Sequence, residues 1–376
     1  MKKRALLVLA DGALYKGWPF GAEGETSGEV IFNTGITGYQ EVLTDPSYKG
    51  QIVTLTYPLI GNYGVNLEDN ESSRLYLSGF IVKEYCPYPS NWRSRTNLAE
   101  LLKAHRIVGI QGLDTRSLTR HIRDHGEQVG VISTKDLDPE SLHAKAKETP
   151  GLPGRDLVKE VTTSGVYGWD SVSKTSAGAA RRVAPVYHIV VYDCGVKYNI
   201  PRSLERLGAR VTVVPATTGP GAVLSMEPDG ILISNGPGDP GAVPYMIENV
   251  RGLLGKKPVM GICLGHQLMA LALGLKTYKL KFGHHGGNHP VMDLSTRKVE
   301  ITTQNHSFAV EADGGASDTP FGRVEVSHTN LNDKSVEGLR CLDVPAFSVQ
   351  HHPEASPGPH DAGYMFEKFM EMVKKQ

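Results

Sequence analysis

Residues 258–267 read PVMGICLGHQ, and this stretch predicts a buried strand that runs directly into a helix. Cys263 stands at the junction, inside a Gly-x-Cys-x-Gly pattern formed with Gly261 and Gly265. Glycine is needed at the flanking positions, because a turn this tight leaves no room for side chains. The pattern predicts a nucleophile elbow that holds the cysteine sulfur out at the top of a sheet.

The sequence around this junction alternates between strand and helix patterns. The predicted strands are residues 188–193, 210–215, 230–234 and 258–262, and the predicted helices are residues 201–207, 245–254 and 266–273. Such alternation predicts an α/β fold with a doubly wound, mostly parallel sheet. The ligand crevice of such a sheet lies at the carboxyl ends of its strands, which is where Cys263 falls.

Cys263 has the surroundings expected of a reactive thiol. The helix that follows presents free N–H groups and its positive end to the sulfur, and both favour the thiolate. The backbone N–H of Leu264 is placed to donate to an oxyanion. By contrast Cys86, Cys194 and Cys341 are scattered, with no C-x-x-C pair. We interpret these three as small core residues, and not as zinc ligands or disulfide partners.

A cysteine nucleophile needs a base that a third group holds in place. Residues 350–354, QHHPE, supply both. His352 and Glu354 are two residues apart, so their side chains face the same way on an extended segment. Pro353 fixes its own φ and pushes His352 into the extended region. Spacing alone allows either His351 or His352 as the base, and the His-Pro-Glu geometry favours His352.

Gln267 follows Cys263 by four residues, so it lies on the same helix face one turn along. It is predicted to bind a substrate amide or carboxylate. The alternative, an exposed glutamine that merely favours the helix, is equally open from the pattern.

The first half of the chain is rich in strands. The predicted strands are residues 5–10, 29–32 and 51–55, and the predicted helices are residues 97–105 and 114–125. Residues 151–186 are rich in Gly, Ser and Thr and poor in periodic apolar residues, which predicts a connector. We therefore predict a strand-rich N-terminal α/β domain over residues 1–150, a linker over 151–186 and a C-terminal domain over 187–376.

Composition excludes several classes of function. The 376 residues suffice for two domains with their own cores. Forty Lys plus Arg balance forty Asp plus Glu, so there is no basic field for nucleic acid. No apolar run approaches the ~18 residues of a membrane span, and the N-terminal run stops at Asp11, too early for a secretion signal. We expect a cytoplasmic protein with neither a nucleic-acid nor a membrane partner.

Together these residues resemble the triad type, or class I, of glutamine amidotransferases. That class pairs a Gly-x-Cys-x-Gly nucleophile, followed by His-Gln, with a distant His-x-Glu. Within it the chain is similar to the small-chain family of carbamoyl phosphate synthetase over nearly its whole length. The segments that carry this second resemblance are FNTGITGYQE (32–41), TDPSY (44–48), YPLIGN (57–62), SNGPGDP (234–240), KFGHHGGNHP (281–290), QNH (304–306) and HPEASPGPH (352–360).

The resemblance implies a role for each site residue. Cys263 attacks the side-chain amide of glutamine and forms a γ-glutamyl thioester, while backbone groups near Gly236 and Leu264 bind the oxyanion. His352 protonates the departing ammonia and then activates water, and Glu354 orients His352. The residues implied to hold glutamine are Ser47, Gly236, Gly238, Leu264, Gln267, Asn305, Ser307 and Phe308. Since Ser47 belongs to the other predicted domain, the glutamine site is expected at the domain interface.

The chain departs from the family pattern at two positions. The family usually has glycine where this chain has Ser307. Serine can serve there if the backbone amide does the binding, unless the position needs a positive φ, which costs about 1–2 kcal/mol outside glycine. The family also usually has a small residue where this chain has His351.

Synthesis of carbamoyl phosphate needs ATP to activate bicarbonate, and the sequence contains no G-x-x-x-x-G-K-[ST] phosphate loop. We therefore expect a large partner subunit that binds ATP and Mg and receives ammonia through a protected path. The resemblance implies the same partner, with a product that feeds pyrimidine and arginine synthesis. No cofactor and no metal are expected on this chain, so residues 284–289, HHGGNH, are interpreted as a structural loop. A higher oligomer of small–large heterodimers is left open.

Two functions of other kinds remain as alternatives. One is a catalytically silent scaffold that organises a partner. The intact set of Cys263, His352 and Glu354 argues against a scaffold. The other is a cysteine hydrolase that acts on γ-glutamyl peptides with the same triad and without a partner. Measuring glutamate release, with and without a partner chain, separates all three.

Overall fold

The structure is a computed structural model, and it describes residues 4–169, 186–312 and 315–376. The chain divides into two units. The first comprises Met1–Pro153 with Lys281–Gly286, and the second comprises Gly154–Leu280 with Gly287–Gln376.

Within the described part of the first unit, seven strands close into a barrel. These strands are β1 Ala5–Leu9, β2 Leu14–Gly21, β3 Glu25–Asn33, β4 Gln51–Leu55, β6 Gly79–Val82, β8 Val108–Gln111 and β9 Gln128–Ser133. Their order around the barrel is β1-β2-β8-β6-β4-β3-β9. Two short strands, β5 Leu59–Ile60 and β7 Glu84–Tyr85, pair with each other. The helices are α1 Tyr39–Thr44, α2 Leu98–Ala104, α3 Thr115–His125 and α4 Pro139–Glu148.

Helix α3 shows how local sequence sets the element bounds. The side chain of Asp114 caps its start by accepting the backbone N–H of Ser117 over 2.9 Å. Gly126 ends it with a φ of 93°, a conformation that glycine adopts without strain. Leu118 and Ile122, one turn apart, are fully buried. The helix predicted over residues 114–125 is confirmed, as are the strands predicted in this half.

Within the described part of the second unit, ten strands and parts of an eleventh, β15, form one sheet. They are β10 Tyr167–Gly168, β11 Tyr187–Asp193, β12 Ala209–Pro215, β13 Gly230–Ile233, β14 Val259–Ile262, β15 Lys276–Asp293, β16 Val299–Glu311, β17 Ala316–Thr319, β18 Gly322–Asn330, β19 Val336–Cys341 and β20 Ala346–Val349. Their order is β10-β12-β11-β13-β14-β20-β19-β16-β15-β18-β17. The helices are α5 Val158–Val161, α6 Asn199–Arg206, α7 Pro220–Leu224, α8 Pro244–Leu253, α9 Leu264–Ala272 and α10 Tyr364–Lys374.

Strands β12, β11, β13, β14 and β20 run parallel and form the centre of the sheet. Helices cover both faces. Ile189 and Val191 of β11 pack in the core beneath α6 and α10, whereas Val190 and Tyr192 pack in the core beneath α8 and α9. Successive residues of a strand point to opposite faces, so a strand buried on both sides is apolar throughout. The predicted doubly wound α/β fold is confirmed, with helix and strand ends shifted by one or two residues.

An antiparallel extension of the sheet was not predicted, and the interpretation of residues 284–289 as a loop is wrong, since they lie in its strand β15. Strand β19 pairs antiparallel with β20, and the extension continues through β16, β15, β18 and β17. Strand β16 buries Thr302, Gln304 and His306 beside apolar residues. Buried polar side chains erase the alternation of apolar and polar residues by which a strand is identified from sequence.

Residues 170–185 of the predicted linker lie outside the described residues. Its earlier part divides between the units, with residues 151–153 in the first and residues 154–169 in the second. There Trp169 is buried in the core beneath α6. The predicted domain boundaries at 150 and 186 stay predictions. Among the helices of the described residues, none combines the length and the apolar character needed to cross a bilayer.

Candidate active site

Cys263 forms the sharp turn between β14 and α9, with φ 53° and ψ −105°. A positive φ is rare outside glycine and costs about 1–3 kcal/mol. A Cβ on Gly261 would lie 2.6 Å from the carbonyl oxygen of Gly265, and a Cβ on Gly265 would lie 2.2 Å from the carbonyl oxygen of Ile233. Both positions therefore need glycine. The structure has the elbow that the sequence predicts.

The Cys263 side chain is buried at the carboxyl end of the parallel sheet. Its thiol donates to the backbone carbonyl of Asn305, with the sulfur 3.5 Å from the oxygen. Its backbone N–H donates to the carbonyl of Val349, the last residue of the parallel neighbour β20, over 2.9 Å. These contacts hold the sulfur between β20 and β16.

The start of α9 supplies a hydrogen-bond donor beside the sulfur. The N–H groups of Gly265 and His266 are already bonded to the carbonyl oxygens of Ser234 and Cys263, at 3.1 and 3.0 Å. Across the described residues, no protein acceptor takes the N–H of Leu264. Because the first N–H groups of a helix have no partner inside it, this donor can serve an oxyanion.

The histidine and the glutamate of the site, His352 and Glu354, lie in the segment that follows strand β20. Strand β20 lies parallel to β14, so Cys263 and the segment after β20 emerge at the same edge of the sheet. The Nδ1 atom of His352 lies 2.6 Å from Oε1 of Glu354. The backbone N–H of His352 donates to the carbonyl of Thr303 over 2.9 Å. With Nδ1 engaged, Nε2 is the ring nitrogen left for the Cys263 sulfur, with which His352 interacts.

The charges of this pair stabilise each other. Burial alone would lower the pKa of His352, but the Glu354 carboxylate and the Cys263 sulfur outweigh burial and raise it to about 10. Burial alone would raise the pKa of Glu354, but Lys197 and His352 outweigh it and lower the pKa to about 2. At neutral pH the pair is therefore imidazolium and carboxylate. A protonated His352 beside the sulfur is poised to act as a general acid.

Lys197 and Asn199 support Glu354 and were not predicted. The buried ammonium of Lys197 lies 3.0 Å from Oε1 of Glu354 and donates to the carbonyl of Ala355. The side-chain amide of Asn199 donates to the backbone carbonyl of Glu354. Both residues follow β11 at the carboxyl edge of the sheet. A lysine four residues after the end of a buried parallel strand was the available signal.

Replacing Lys197 by methionine is expected to lower the free energy of unfolding by about 1.5–3 kcal/mol, because a buried carboxylate loses a charged hydrogen bond. Urea unfolding at pH 7 measures the change. Lys159→Met is the matched control, since Lys159 forms an exposed ion pair with Asp156 and such pairs contribute about 0–1 kcal/mol. Equal losses in the two variants would contradict the assigned role of Lys197.

His351 points to a different carboxylate. Its Nδ1 lies 3.8 Å from Oε2 of Glu337, and its ring packs edge-on against His328 with centroids 5.8 Å apart. Of the two neighbouring histidines, His352 is the one held against Glu354. The geometry therefore favours His352 as the base.

Most residues implied to hold glutamine lie in the second unit. Gly236 and Gly238 follow β13, Leu264 opens α9, and Asn305, Ser307 and Phe308 lie in β16. A Cβ on Gly236 would lie 2.1 Å from the carbonyl oxygen of Cys194, so this position needs glycine. Their contact with glutamine stays a prediction.

Ser307 stands where the family usually has glycine. It lies inside the extended strand β16, and it is not among the residues with a positive φ. Serine therefore adopts this backbone conformation without left-handed strain. The backbone of position 307 remains suited to the binding role implied for it.

Gln267 is buried, so the alternative of an exposed helix-surface glutamine is wrong. Its side-chain nitrogen donates to the carbonyl of Phe308 over 2.8 Å and to Oε1 of Gln350 over 3.0 Å. These bonds tie α9 to β16. A further contact of Gln267 with glutamine stays a prediction.

Ser47 belongs to the first unit and lies in the 3₁₀ turn Pro46–Tyr48. Its backbone N–H donates to the carboxylate of Asp45 over 2.9 Å. Its part in a glutamine site, and the expected location of that site at the domain interface, stay predictions.

The fold and the site define a class of protein. A nucleophile elbow follows one parallel strand, and a buried histidine–glutamate pair follows its neighbour. Residues 190–372 match the family described as glutamine amidotransferase class-I. The second unit thus carries a class I glutamine amidotransferase domain.

Residues 7–132 match the family described as carbamoyl-phosphate synthase small chain, CPSase domain. The carbamoyl phosphate synthase small chain of Syntrophotalea carbinolica is 59% identical over 374 residues, covering 99% of this chain and 98% of that one. That of Aquifex aeolicus is 51% identical over 375 residues, covering 100% of both. The chain belongs to the carbamoyl phosphate synthase small chain family.

Proposed function

We propose that this chain is the glutamine-hydrolysing subunit of a carbamoyl phosphate synthetase, and that Cys263 carries the reaction. The supporting observation is the buried arrangement of Cys263, His352 and Glu354 at the elbow. A nucleophile beside a base that a carboxylate orients is the arrangement for acyl transfer, and mere glutamine binding would not require it.

In the first half-reaction Cys263, as the thiolate paired with protonated His352, attacks the side-chain amide carbon of glutamine. A carbon–sulfur bond forms, and the carbonyl electron pair moves to oxygen. The N–H of Leu264 and backbone groups near Gly236 stabilise this oxyanion. His352 gives its proton to the amide nitrogen, the carbon–nitrogen bond breaks, and ammonia leaves behind a γ-glutamyl thioester.

In the second half-reaction His352, now neutral, takes a proton from water. The hydroxide equivalent attacks the thioester carbon, and the carbon–sulfur bond breaks. Glutamate leaves and the Cys263 sulfur is regenerated. Glu354 holds the imidazole in one orientation and stabilises its charge through both halves. The reaction balances without a cofactor on this chain.

In this proposal glutamine is held by the residues that the family resemblance implies. Those residues are Ser47, Gly236, Gly238, Leu264, Gln267, Asn305, Ser307 and Phe308. Backbone donors and acceptors from β16 and from the turn after β13 bind the α-amino and α-carboxyl groups. They position the side-chain amide over the sulfur, which makes the attack effectively intramolecular.

The ammonia passes through a protected path to a large partner subunit. That subunit binds ATP and Mg, activates bicarbonate and makes carbamoyl phosphate for pyrimidine and arginine synthesis in the cytoplasm. The absence of a phosphate loop from this sequence supports the division of labour.

The test mixes the chain with its large subunit and glutamine labelled with carbon-14, then quenches the mixture in acid. We expect label on the peptide that contains Cys263, together with labelled glutamate in the supernatant. Label that is absent from this peptide while glutamate forms would refute the thioester at Cys263.

The same assay separates the two other candidate functions. No glutamate in the presence of the large subunit would indicate a catalytically silent scaffold. Full activity of the isolated chain on γ-glutamyl peptides, with no partner recovered in a pull-down, would indicate an independent cysteine hydrolase.

A further inference from the structure

Strand β19 carries a fully buried carboxylate, Glu337, that takes no part in the proposed triad. Its Oε2 accepts the side-chain N–H of Gln304 over 2.8 Å, and its Oε1 accepts that of Asn330 over 2.9 Å. Burial alone would raise its pKa, but the nearby imidazole of His351 and the charge of His306 outweigh burial and lower the pKa to about 2. Glu337 is therefore ionised at neutral pH.

The orientation of the Gln304 amide is determined by its neighbours. Its nitrogen lies 2.8 Å from Glu337 and 3.1 Å from the hydroxyl oxygen of Thr302. That hydroxyl already donates its own hydrogen to the carbonyl of His289 over 3.0 Å. Both groups thus act as acceptors, and only the NH₂ end of the amide suits them. The oxygen end of Gln304 must then face His306.

His306 lies between two acceptors as a result. Its Nε2 is 3.0 Å from the side-chain oxygen of Gln304, and its Nδ1 is 2.7 Å from the backbone carbonyl of Phe308. Neither oxygen carries a hydrogen to give. Both ring nitrogens must therefore carry hydrogen, and this is the imidazolium form.

These hydrogen bonds form a closed ring of side-chain and backbone contacts around the part of β16 that is proposed to bind substrate. The carbonyl of Phe308 also accepts the amide of Gln267, which donates in turn to Gln350. The backbone N–H of Gln350 donates to the carbonyl of Glu337 over 2.8 Å. The ring thus fixes the segment that includes Asn305, whose carbonyl accepts the Cys263 thiol.

We infer that His306 is a permanent imidazolium within this ring, and that Glu337, acting through Gln304, is the positioning residue that keeps it charged. The role of the ring in placing glutamine rests on the proposed function. The charge on His306 does not, because it follows from the hydrogen bonds of this unit alone.

Other titratable groups of the unit also face Glu337. They are His351 from the segment after β20, His266 from α9 and His328 from β18. Burial lowers the pKa of His266 and that of His328 to about 3, so both stay neutral in the working range. The charges of Lys368 and Asp293 also act on the pKa of His328.

The first test is nitrogen NMR of the full chain with labelled histidine rings. His306→Gln identifies the signals of His306 among the 14 histidines. We expect both ring nitrogens of His306 to resonate as protonated from about pH 6 to pH 8, where an ordinary histidine with a pKa of about 6.5 titrates. One protonated and one bare nitrogen would overturn the inference, whatever the enzyme proves to catalyse.

The second test replaces Glu337 by glutamine in the complex with the large subunit. Without its counter-charge the buried imidazole loses a proton at high pH, and a lone pair then faces an oxygen acceptor. We expect the KM for glutamine to rise roughly tenfold at about pH 8, the effect of losing one charged hydrogen bond. The ratio of the KM of Glu337→Gln to the KM of the unmodified enzyme should fall towards one at about pH 6. Ammonia-dependent synthesis should not change.

Glu325→Gln is the matched control. It removes a partly exposed carboxylate of β18, which pairs with Arg340 on β19, the strand that carries Glu337. It should leave the KM unchanged at every pH. A rise in KM for Glu337→Gln that is the same at pH 6 and pH 8 would show that Glu337 only fills space, and would overturn its role as a charge-holding residue.

Discussion

Replacement of Cys263 by serine is expected to lower glutamine hydrolysis by roughly 10⁴-fold or more, the usual effect of losing the nucleophile of a triad. The serine hydroxyl fits the same elbow, but a hydroxyl is a much weaker nucleophile for acyl transfer than a thiolate. The loss should appear in kcat, because the glutamine contacts implied by the family do not use the sulfur. Stability should change little, since the two side chains have nearly the same shape.

Ammonia-dependent synthesis by the assembled complex is the measurement that makes this result specific. Cys263→Ser with its large subunit should use free ammonia at the normal rate while glutamine-dependent synthesis disappears. Cys86→Ser, which alters a half-buried thiol of the first unit, should retain both activities. Glutaminase activity retained by Cys263→Ser would refute the assignment of the nucleophile.

Replacement of Glu354 by glutamine is expected to lower kcat for glutamine hydrolysis by roughly 10³–10⁴-fold. The amide keeps the size of the side chain but removes the charge that raises the pKa of His352 to about 10. His352 then loses its proton at neutral pH and can no longer protonate the departing ammonia. Lys197 is left as a buried cation without its carboxylate, which should cost about 3–5 kcal/mol of stability.

The loss of stability in Glu354→Gln should depend on pH in a defined way. The pKa of folded His352 is raised from 6.5 to about 10, so its contribution is complete below about pH 6.5 and is lost as the pH rises through about 10. The pKa of Glu354 is lowered from 4.5 to about 2, so its contribution is present above about pH 4.5 and is lost as the pH falls through about 2. The largest difference is therefore expected between about pH 4.5 and pH 6.5.

Chemical unfolding of the unmodified chain and of Glu354→Gln across this range measures the dependence. Glu325→Gln again serves as the control, because its ion pair is partly exposed and should contribute about 0–1 kcal/mol at any of these pH values. A difference between Glu354→Gln and the unmodified chain that stays constant from pH 5 to pH 10 would mean that the Glu354 charge is not coupled to His352.

The local pattern of the sequence predicted the parallel half of the second unit with useful accuracy. Strands β13 and β14 are apolar throughout because both of their faces are buried, and glycine or proline stands at their starts. The tight elbow at Cys263 requires small neighbours, so its glycines mark it in the sequence. His352 and Glu354 lie two residues apart on an extended segment, which made their pairing predictable as well.

The antiparallel extension and the closed barrel were not predicted, for one physical reason. Strand pairing joins residues that are distant in the chain, and period-two patterns show only which face of a strand is buried. In β16 even that signal fails, because Gln304 and His306 are buried polar residues whose partners lie on β19 and in the backbone of β16 itself.

The nucleophile, its imidazole and the carboxylate beside it could therefore be predicted from the sequence, because their arrangement depends on neighbours along the chain. Tertiary structure alone decided which charges meet inside the second unit. Lys197 contacts Glu354, which is 157 residues away in the sequence, and Gln304 contacts Glu337, which is 33 residues away. Buried charges need partners because desolvation is costly, yet a sequence does not show which distant residue supplies the partner until the strands have paired.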